Sequence, residues 1–134
     1  MSIEHLNPPA LHANPAFSQA VRIPAGYDTL HIGGQNGVDG SGALVGPSVG
    51  EQTRQALANV RECLAAAGAC PDDVVKWTIL LTAGADLREG FGAFQQNWDA
   101  RSEPPVITVA VVAALALPGA LVELEAVAAL PPRG

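Results

Sequence analysis

The chain has 134 residues, of which 49% are hydrophobic and only 15% charged, and its net charge is −6. This length corresponds to one domain, residues 1–134, with a core of its own, and the composition excludes disorder as the main state. The low charge indicates that copies of the chain cover part of its surface, and the scattered basic residues argue against nucleic-acid binding.

The first third of the chain is predicted to be extended. Residues 1–15 contain prolines and show no periodicity, so we expect an extended arm. Hydrophobic runs and turn residues then predict strands at Phe17–Ile23 and Thr29–Gly34, a turn between them, and a brief strand at Ala43–Val45 in a glycine-rich loop.

A first helix is predicted after this loop. Ser48 and Glu51 match a capping box, and Gly68 suits the residue that ends a helix. Apolar residues between them recur at helical spacing, and the opposite face is predicted to be solvated, with Gln52, Arg54, Gln55, Asn59 and Arg61.

The rest of the chain predicts strand, helix, strand, strand. The elements are Val74–Leu81, Leu87–Trp98, Val106–Ala113 and Ala120–Ala129, with a turn at Leu117–Gly119 before the last one. Two helices cover one face of such a sheet, yet Val106–Ala113 is apolar on both faces. We therefore expect another subunit on the uncovered face.

Several classes of site and location are disfavoured. Cys63 and Cys70 are too few for a disulfide framework and have no neighbouring histidine, so we expect free thiols and no metal. Met1–Pro9 lacks the pattern of a signal peptide, and the run Val106–Leu117 is too short to span a bilayer. The predicted location is the cytoplasm, without membrane contact.

Three features could carry chemistry. Glu123 and Glu125 share one face of the last predicted strand among apolar neighbours, which suits general acid–base work. The alternatives are pairing with arginine and a solvated subunit seam. The glycines of 33–37 would let a ligand approach the backbone or would form a tight turn. His31, on a strand, is either a packing or surface residue or part of a site; its role and that of Glu125 stay open.

Several motifs together resemble the reactive-intermediate deaminase family (Rid/YjgF, also called endoribonuclease L-PSP-like). They are Phe17–Val21, Gly33-Gly34-Gln35, Gln52–Val60 and Leu117–Ala128, and the resemblance runs from about Pro8 to Ala129. It implies a chorismate-mutase-like α+β fold, with a mixed sheet and two helices on one face. It also implies a homotrimeric barrel with small-molecule clefts between subunits.

The resemblance also implies a site, with departures from the family pattern. Catalytic members hydrolyse enamines and imines such as 2-aminoacrylate, using an arginine for the substrate carboxylate and a glutamate that positions water. Glu123 matches that glutamate, whereas Ile107 stands where the arginine is expected. The implied substrate-binding residues are Phe17, Gly33, Gly34, Gln35, Phe91, Ile107 and Val109, with no cofactor and no metal.

These departures lead to two main hypotheses. In the first, a homotrimer hydrolyses an uncharged or hydrophobic imine or enamine with water positioned by Glu123. The usual 2-aminoacrylate activity is not expected, because a desolvated carboxylate would lose its partner. In the second, the same scaffold is a non-catalytic small-molecule binder or metabolic sensor. Ribonuclease activity, suggested by the older family name, conflicts with the acidic charge.

Overall fold

The computed structural model describes residues 1–98 and 103–133. Within them, the main sheet has four strands in the order β3-β6-β4-β5, with β4 and β5 parallel and the other pairs antiparallel. The elements are β1 (Glu4–Leu6), β2 (Ala20–Arg22), β3 (Asp28–Gln35), α1 (Val49–Ala66), β4 (Val74–Thr82), α2 (Leu87–Asn97), β5 (Val106–Val112) and β6 (Val122–Leu130). The fold is therefore α+β with a mixed sheet, as predicted.

The N-terminal region differs in detail from the prediction. The arm of residues 1–15 includes β1, which pairs antiparallel with β2 in a small separate sheet. The strand predicted at Phe17–Ile23 is shorter, because its first residues instead contact the segment before β5. The brief strand predicted at Ala43–Val45 is reduced to one bridge between Val38 and Leu44.

Helix α1 begins and ends where the sequence predicts. The backbone N–H of Glu51 donates to Ser48 Oγ at 3.1 Å, which satisfies one free donor of the first turn. At the other end Gly68 has a φ of +72°, and Ala69 N–H donates to the Leu64 carbonyl at 2.9 Å. This left-handed glycine with its closing hydrogen bonds is a Schellman motif.

Both helices pack on one face of the main sheet. α1 contributes buried Leu57, Val60 and Leu64, which lie against alternate residues of β4 and β6. The Trp77 indole, 1% exposed, makes edge contacts with Phe94 and Trp98 at centroid distances of 5.1 and 4.8 Å. In the part of the chain that the structure describes, the opposite face of the sheet carries no helix. Within residues 1–98 and 103–133, no helix is long and apolar enough to cross a membrane.

The prediction that one face of α1 is solvated is wrong at Gln52. This side chain is 0% exposed. Its Nε2 donates to the Gly119 carbonyl at 3.2 Å, and its Oε1 accepts from Leu121 N–H at 2.8 Å. Gln52 therefore connects α1 to the turn before β6, because that turn has backbone groups that no strand partner satisfies.

Candidate functional site

Glu123 lies on the sheet face that the helices leave open. Its neighbours Val122 and Leu124 are buried under the helices, so alternation along β6 directs the Glu123 side chain to the opposite face. There it is half-buried, and its Oε1 accepts a hydrogen bond from Asn36 Nδ2 at 3.3 Å. The carboxylate thus has a protein partner while keeping contact with solvent.

Gly33 and Gly34 form a β-bulge beside this carboxylate. Ile32 pairs with Ala126 and Gln35 with Leu124, so two glycines of β3 oppose the single residue Glu125 of β6. The tight-turn interpretation is therefore wrong, because β3 continues through both glycines to Gln35. A bulge leaves backbone groups of the strand unpaired, and the alternative that a ligand approaches this backbone stays a prediction.

The two glycines of the bulge have different surroundings. A Cβ atom on Gly34 would overlap the carboxylate of Glu123, whereas a Cβ on Gly33 would meet nothing within 4 Å. Gly34 is therefore required by the position of Glu123, and Gly33 leaves an open space above the bulge.

A second group of predicted residues lines an apolar pocket on the helix side. Phe17, Phe91, Ile107 and Val109 surround a concave space of about 430 Å³ between α2 and β5. Its size lies within the range of small-molecule sites. Apart from Gln95, the described residues that complete this lining are also apolar: Ala16, Ile79, Phe94 and Trp98.

Hydrogen bonds hold the two chain segments that form this pocket. Ser18 donates through its N–H to the Pro105 carbonyl at 3.0 Å and through its Oγ to the Pro104 carbonyl at 2.5 Å. His5 Nδ1 lies 3.0 Å from the same Pro104 oxygen. Phe17 and Ile107, which neighbour these residues in sequence, are thereby kept on the same pocket wall. No sequence pattern predicted this role of His5.

One chain does not bring the two groups together. Ile107 pairs with Trp77 and Glu123 with Leu80 on the intervening strand β4. Their backbones are thus about 10 Å apart across the sheet and about 10 Å along it, and their side chains lie on opposite faces. No small ligand within one chain reaches both.

Of the remaining candidates, His31 and Glu125 lie on the open face, whereas Gln35 pairs with Leu124 on the sheet face that the helices cover. His31 and Glu125 are exposed and line a cavity of about 280 Å³ with Gly33, Lys76 and other residues. Gln35 is half-buried, and its Nε2 contacts the Gly33 carbonyl at 3.5 Å. Among residues 1–98 and 103–133, no three His, Cys, Asp or Glu side chains are grouped as a metal ion requires.

Comparison with known proteins identifies the family. The family model described as endoribonuclease L-PSP matches residues 8–130. The chain belongs to this family, which is the Rid/YjgF family. A Mus musculus relative named 2-iminobutanoate/2-iminopropanoate deaminase is 40% identical over 114 residues, which are 84% of this chain and 79% of the relative.

Solved structures of the Rid family agree with the fold. The Rid protein YyfB from Yersinia pestis, described as of unknown function, has a TM-score of 0.82 and 34% identity, covering 97% of this chain and 100% of that one. RidA from an Antarctic Psychrobacter has a TM-score of 0.67 and 30% identity, covering 87% of this chain and 90% of that one. The resemblance found in the sequence is thus confirmed, and so is the fold that it implied.

Proposed function

We propose that this Rid protein hydrolyses an uncharged or hydrophobic imine, or the imine tautomer of an enamine, in a site shared by two copies of the chain. Relatives named as imine deaminases support the reaction class. The observation that carries the proposal is the partly desolvated Glu123 carboxylate beside an open bulge, with an apolar pocket on the opposite face of the sheet.

In the proposed reaction, Glu123 acts as the general base. It accepts a proton from water while the water oxygen bonds to the imine carbon, and the C=N electron pair moves to nitrogen, which takes up a proton. Glu123 then passes its proton to the amino group of the resulting carbinolamine, the C–N bond breaks to release ammonia, and the hydroxyl oxygen gives its proton to water as the carbonyl forms. A positioned carboxylate contributes about 10² to 10⁴-fold to such proton transfers.

The apolar pocket determines the proposed substrate class. None of its described lining residues is Lys or Arg, and Ile107 packs against the hydrophobic core. A substrate carboxylate placed there would lose water without gaining a charged partner, which is strongly unfavourable. Apolar substituents would instead gain from burial. The usual carboxylate-bearing imino acids are therefore expected to be poor substrates.

Assembly completes the proposed site. We infer a homotrimer in which the open sheet face lies inside, so that Glu123 of one copy approaches the apolar pocket of the next. Exposed Val109 and Val111 lie on the helix side of the edge strand β5, and a lone chain would leave them in water, which supports a neighbouring copy beside the pocket at this edge. Light scattering should give three chain masses, and a monomer at micromolar concentration would contradict the shared site.

The central experiment compares two glutamates of β6. Uncharged aldimines are generated in situ from primary alkylamines and benzylamine by a flavin amine oxidase, imino acids are generated by an amino-acid oxidase, and ammonia release above the spontaneous rate is measured. Glu123→Gln should lower kcat about 100-fold or more, whereas Glu125→Gln on the same strand face should retain most activity. Equal activity of wild type and Glu123→Gln would overturn the catalytic assignment.

A mixing experiment tests whether the site is shared. Glu123→Gln and Val109→Trp copies, the latter with a filled pocket, are each expected to be inactive. Each shared site takes Glu123 from one copy and the pocket from its neighbour. After mixing in equal amounts and reassembly, about one site in four combines an intact Glu123 with an intact pocket, so about a quarter of wild-type activity should return. Absence of recovery, with mixed trimers demonstrated by mass spectrometry, would contradict a site between subunits.

Non-catalytic binding is the second candidate function. The observation that favours it is the same uncharged pocket lining. Such a lining suits the binding of apolar groups, and its described residues include no acid or base for catalysis. If no imine is turned over, native mass spectrometry of the purified protein should reveal a bound metabolite. Filling the pocket with Val109→Trp should then remove that metabolite, whereas Glu123→Gln should not.

A further inference from the structure

Asn36 is the polar side chain that contacts Glu123. It follows β3 directly and is half-buried, and its Nδ2 donates to Glu123 Oε1 at 3.3 Å and to the Val122 carbonyl at 3.0 Å. Both partners are acceptors, so the amide is oriented with its nitrogen toward β6. Asn36 therefore donates a hydrogen bond to one carboxylate oxygen, Oε1, while the other oxygen, Oε2, lies against Gly34.

The backbone of Asn36 is itself fixed. Its carbonyl accepts from Val38 N–H at 2.8 Å and from Asn59 Nδ2 of α1 at 3.2 Å. Asn59 also donates to the Val38 carbonyl at 2.9 Å and accepts from Gln55 Nε2 at 3.0 Å. A polar chain thus runs from α1 through Asn36 to Glu123, and it uses residues that the sequence assigned to a solvated helix face.

Gly34 restricts the position of the Glu123 carboxylate from the side opposite to Asn36. A Cβ atom at this position would overlap Glu123, so the carboxylate lies directly against the bulge backbone. A flexible glutamate confined between a backbone surface and a fixed donor has few orientations. Such restriction is what a general base needs, because a misplacement of about 1 Å costs on the order of 10²-fold in rate.

We propose that Asn36, held by Asn59, is the positioning residue that fixes the Glu123 carboxylate in its reactive orientation. The expected effect of Asn36 on turnover rests on the proposed function, since that effect requires Glu123 to be the general base. The expected effect of Asn36 on the orientation of Glu123 does not rest on the proposed function, because that orientation is observable without any substrate.

The test uses full-length protein with three substitutions. Asn36→Ala removes the donor, and Asn36→Asp keeps the size while placing a like charge beside Glu123. Asn97→Ala is the matched control, because Asn97 Nδ2 donates only to the Ala93 carbonyl of its own helix among the described contacts. Crystal structures give the Glu123 orientation, thermal denaturation checks folding, and kcat and KM are measured on the best imine of the panel.

Both Asn36 variants should release the Glu123 carboxylate from its position and lower kcat at least about tenfold, with KM changed less than threefold. Asn97→Ala should change neither. An unmoved Glu123 in Asn36→Ala, or an equal loss of kcat in the Asn97 control, would overturn the assignment. If Glu123→Gln is fully active while Asn36→Ala still displaces Glu123, the proposed function fails and the positioning contact stands.

Discussion

Replacing Gly34 by alanine should displace the Glu123 carboxylate while changing the stability of the fold little. Gly34 does not have a positive φ, so alanine is compatible with its backbone. The added Cβ would lie 2.7 Å from Glu123 Cδ and 3.0 Å from its Cγ. Gly33→Ala is the matched control, since the neighbouring position has nothing within 4 Å of a new Cβ.

The size of the effect follows from these distances. Carbon atoms pack best at about 3.5 to 4.0 Å, so the Glu123 side chain must retreat by about 1 Å or change rotamer. A strained rotamer costs about 0.5 to 1.5 kcal/mol, and replacing glycine recovers about 0.4 to 1 kcal/mol through the unfolded chain. Net stability should therefore change by less than about 1 kcal/mol, whereas a 1 Å displacement of a general base lowers kcat about 10²-fold.

Stability and turnover are measured on the same preparations. Urea denaturation should give similar free energies of unfolding for wild type, Gly33→Ala and Gly34→Ala, and ammonia release should fall only in Gly34→Ala. Equal activity of the two variants would refute the reasoning that Gly34 is a glycine because of Glu123. A loss of several kcal/mol in Gly34→Ala would instead mean that the backbone moves rather than the carboxylate.

Three further predictions concern other parts of the molecule. Gln52→Leu should destabilise the fold by about 2 to 4 kcal/mol in urea denaturation, because Leu121 N–H and two carbonyls lose their buried partner, whereas Gln55→Leu should cost little. Unchanged stability of the Gln52 variant would contradict its connecting role. Ile107→Arg should raise kcat/KM for carboxylate-bearing imino acids about tenfold or more relative to uncharged imines, by adding a charged partner in the pocket; an unchanged ratio would show that Ile107 does not face the substrate. Partial desolvation of the exposed residue Cys70 raises the pKa of its thiol, so its thiolate fraction near pH 8 is lower than that of an ordinary cysteine. Alkylation of Cys70 by iodoacetamide, followed by peptide mass spectrometry, should be slower than that of free cysteine and accelerate as the pH is raised. Faster alkylation at pH 8 would contradict this direction.

Local sequence patterns were sufficient for most elements of the fold. The alternation along the last strand predicted that Glu123 and Glu125 share one face, and the structure shows that the opposite face, with residues 122, 124, 126 and 128, is the buried one. Ser48, Glu51 and Gly68 predicted both ends of α1, because capping depends on residues within one turn. These features depend on neighbours in the chain, so the sequence alone carries them.

The sequence could not predict which polar residues are buried. Gln52 and Gln55 look alike on a helical projection, yet only Gln52 meets the unpaired backbone of the turn before β6. Asn36 looked like one residue of a loop, and its contact with Glu123 spans 87 positions of the chain. Such contacts depend on how elements that are distant in the chain pack together, and the spacing of apolar residues along the sequence does not predict that packing.

The family, the α+β class and the helix boundaries could be predicted from the sequence, because they follow from motifs and from periods of 2 and 3.6 residues. The bulge of Gly33 and Gly34 against the carboxylate required the folded structure, since a register shift depends on the partner strand. The folded structure also separated Glu123 from the pocket of Ile107 on opposite faces of the sheet, because strand order is set by long-range pairing.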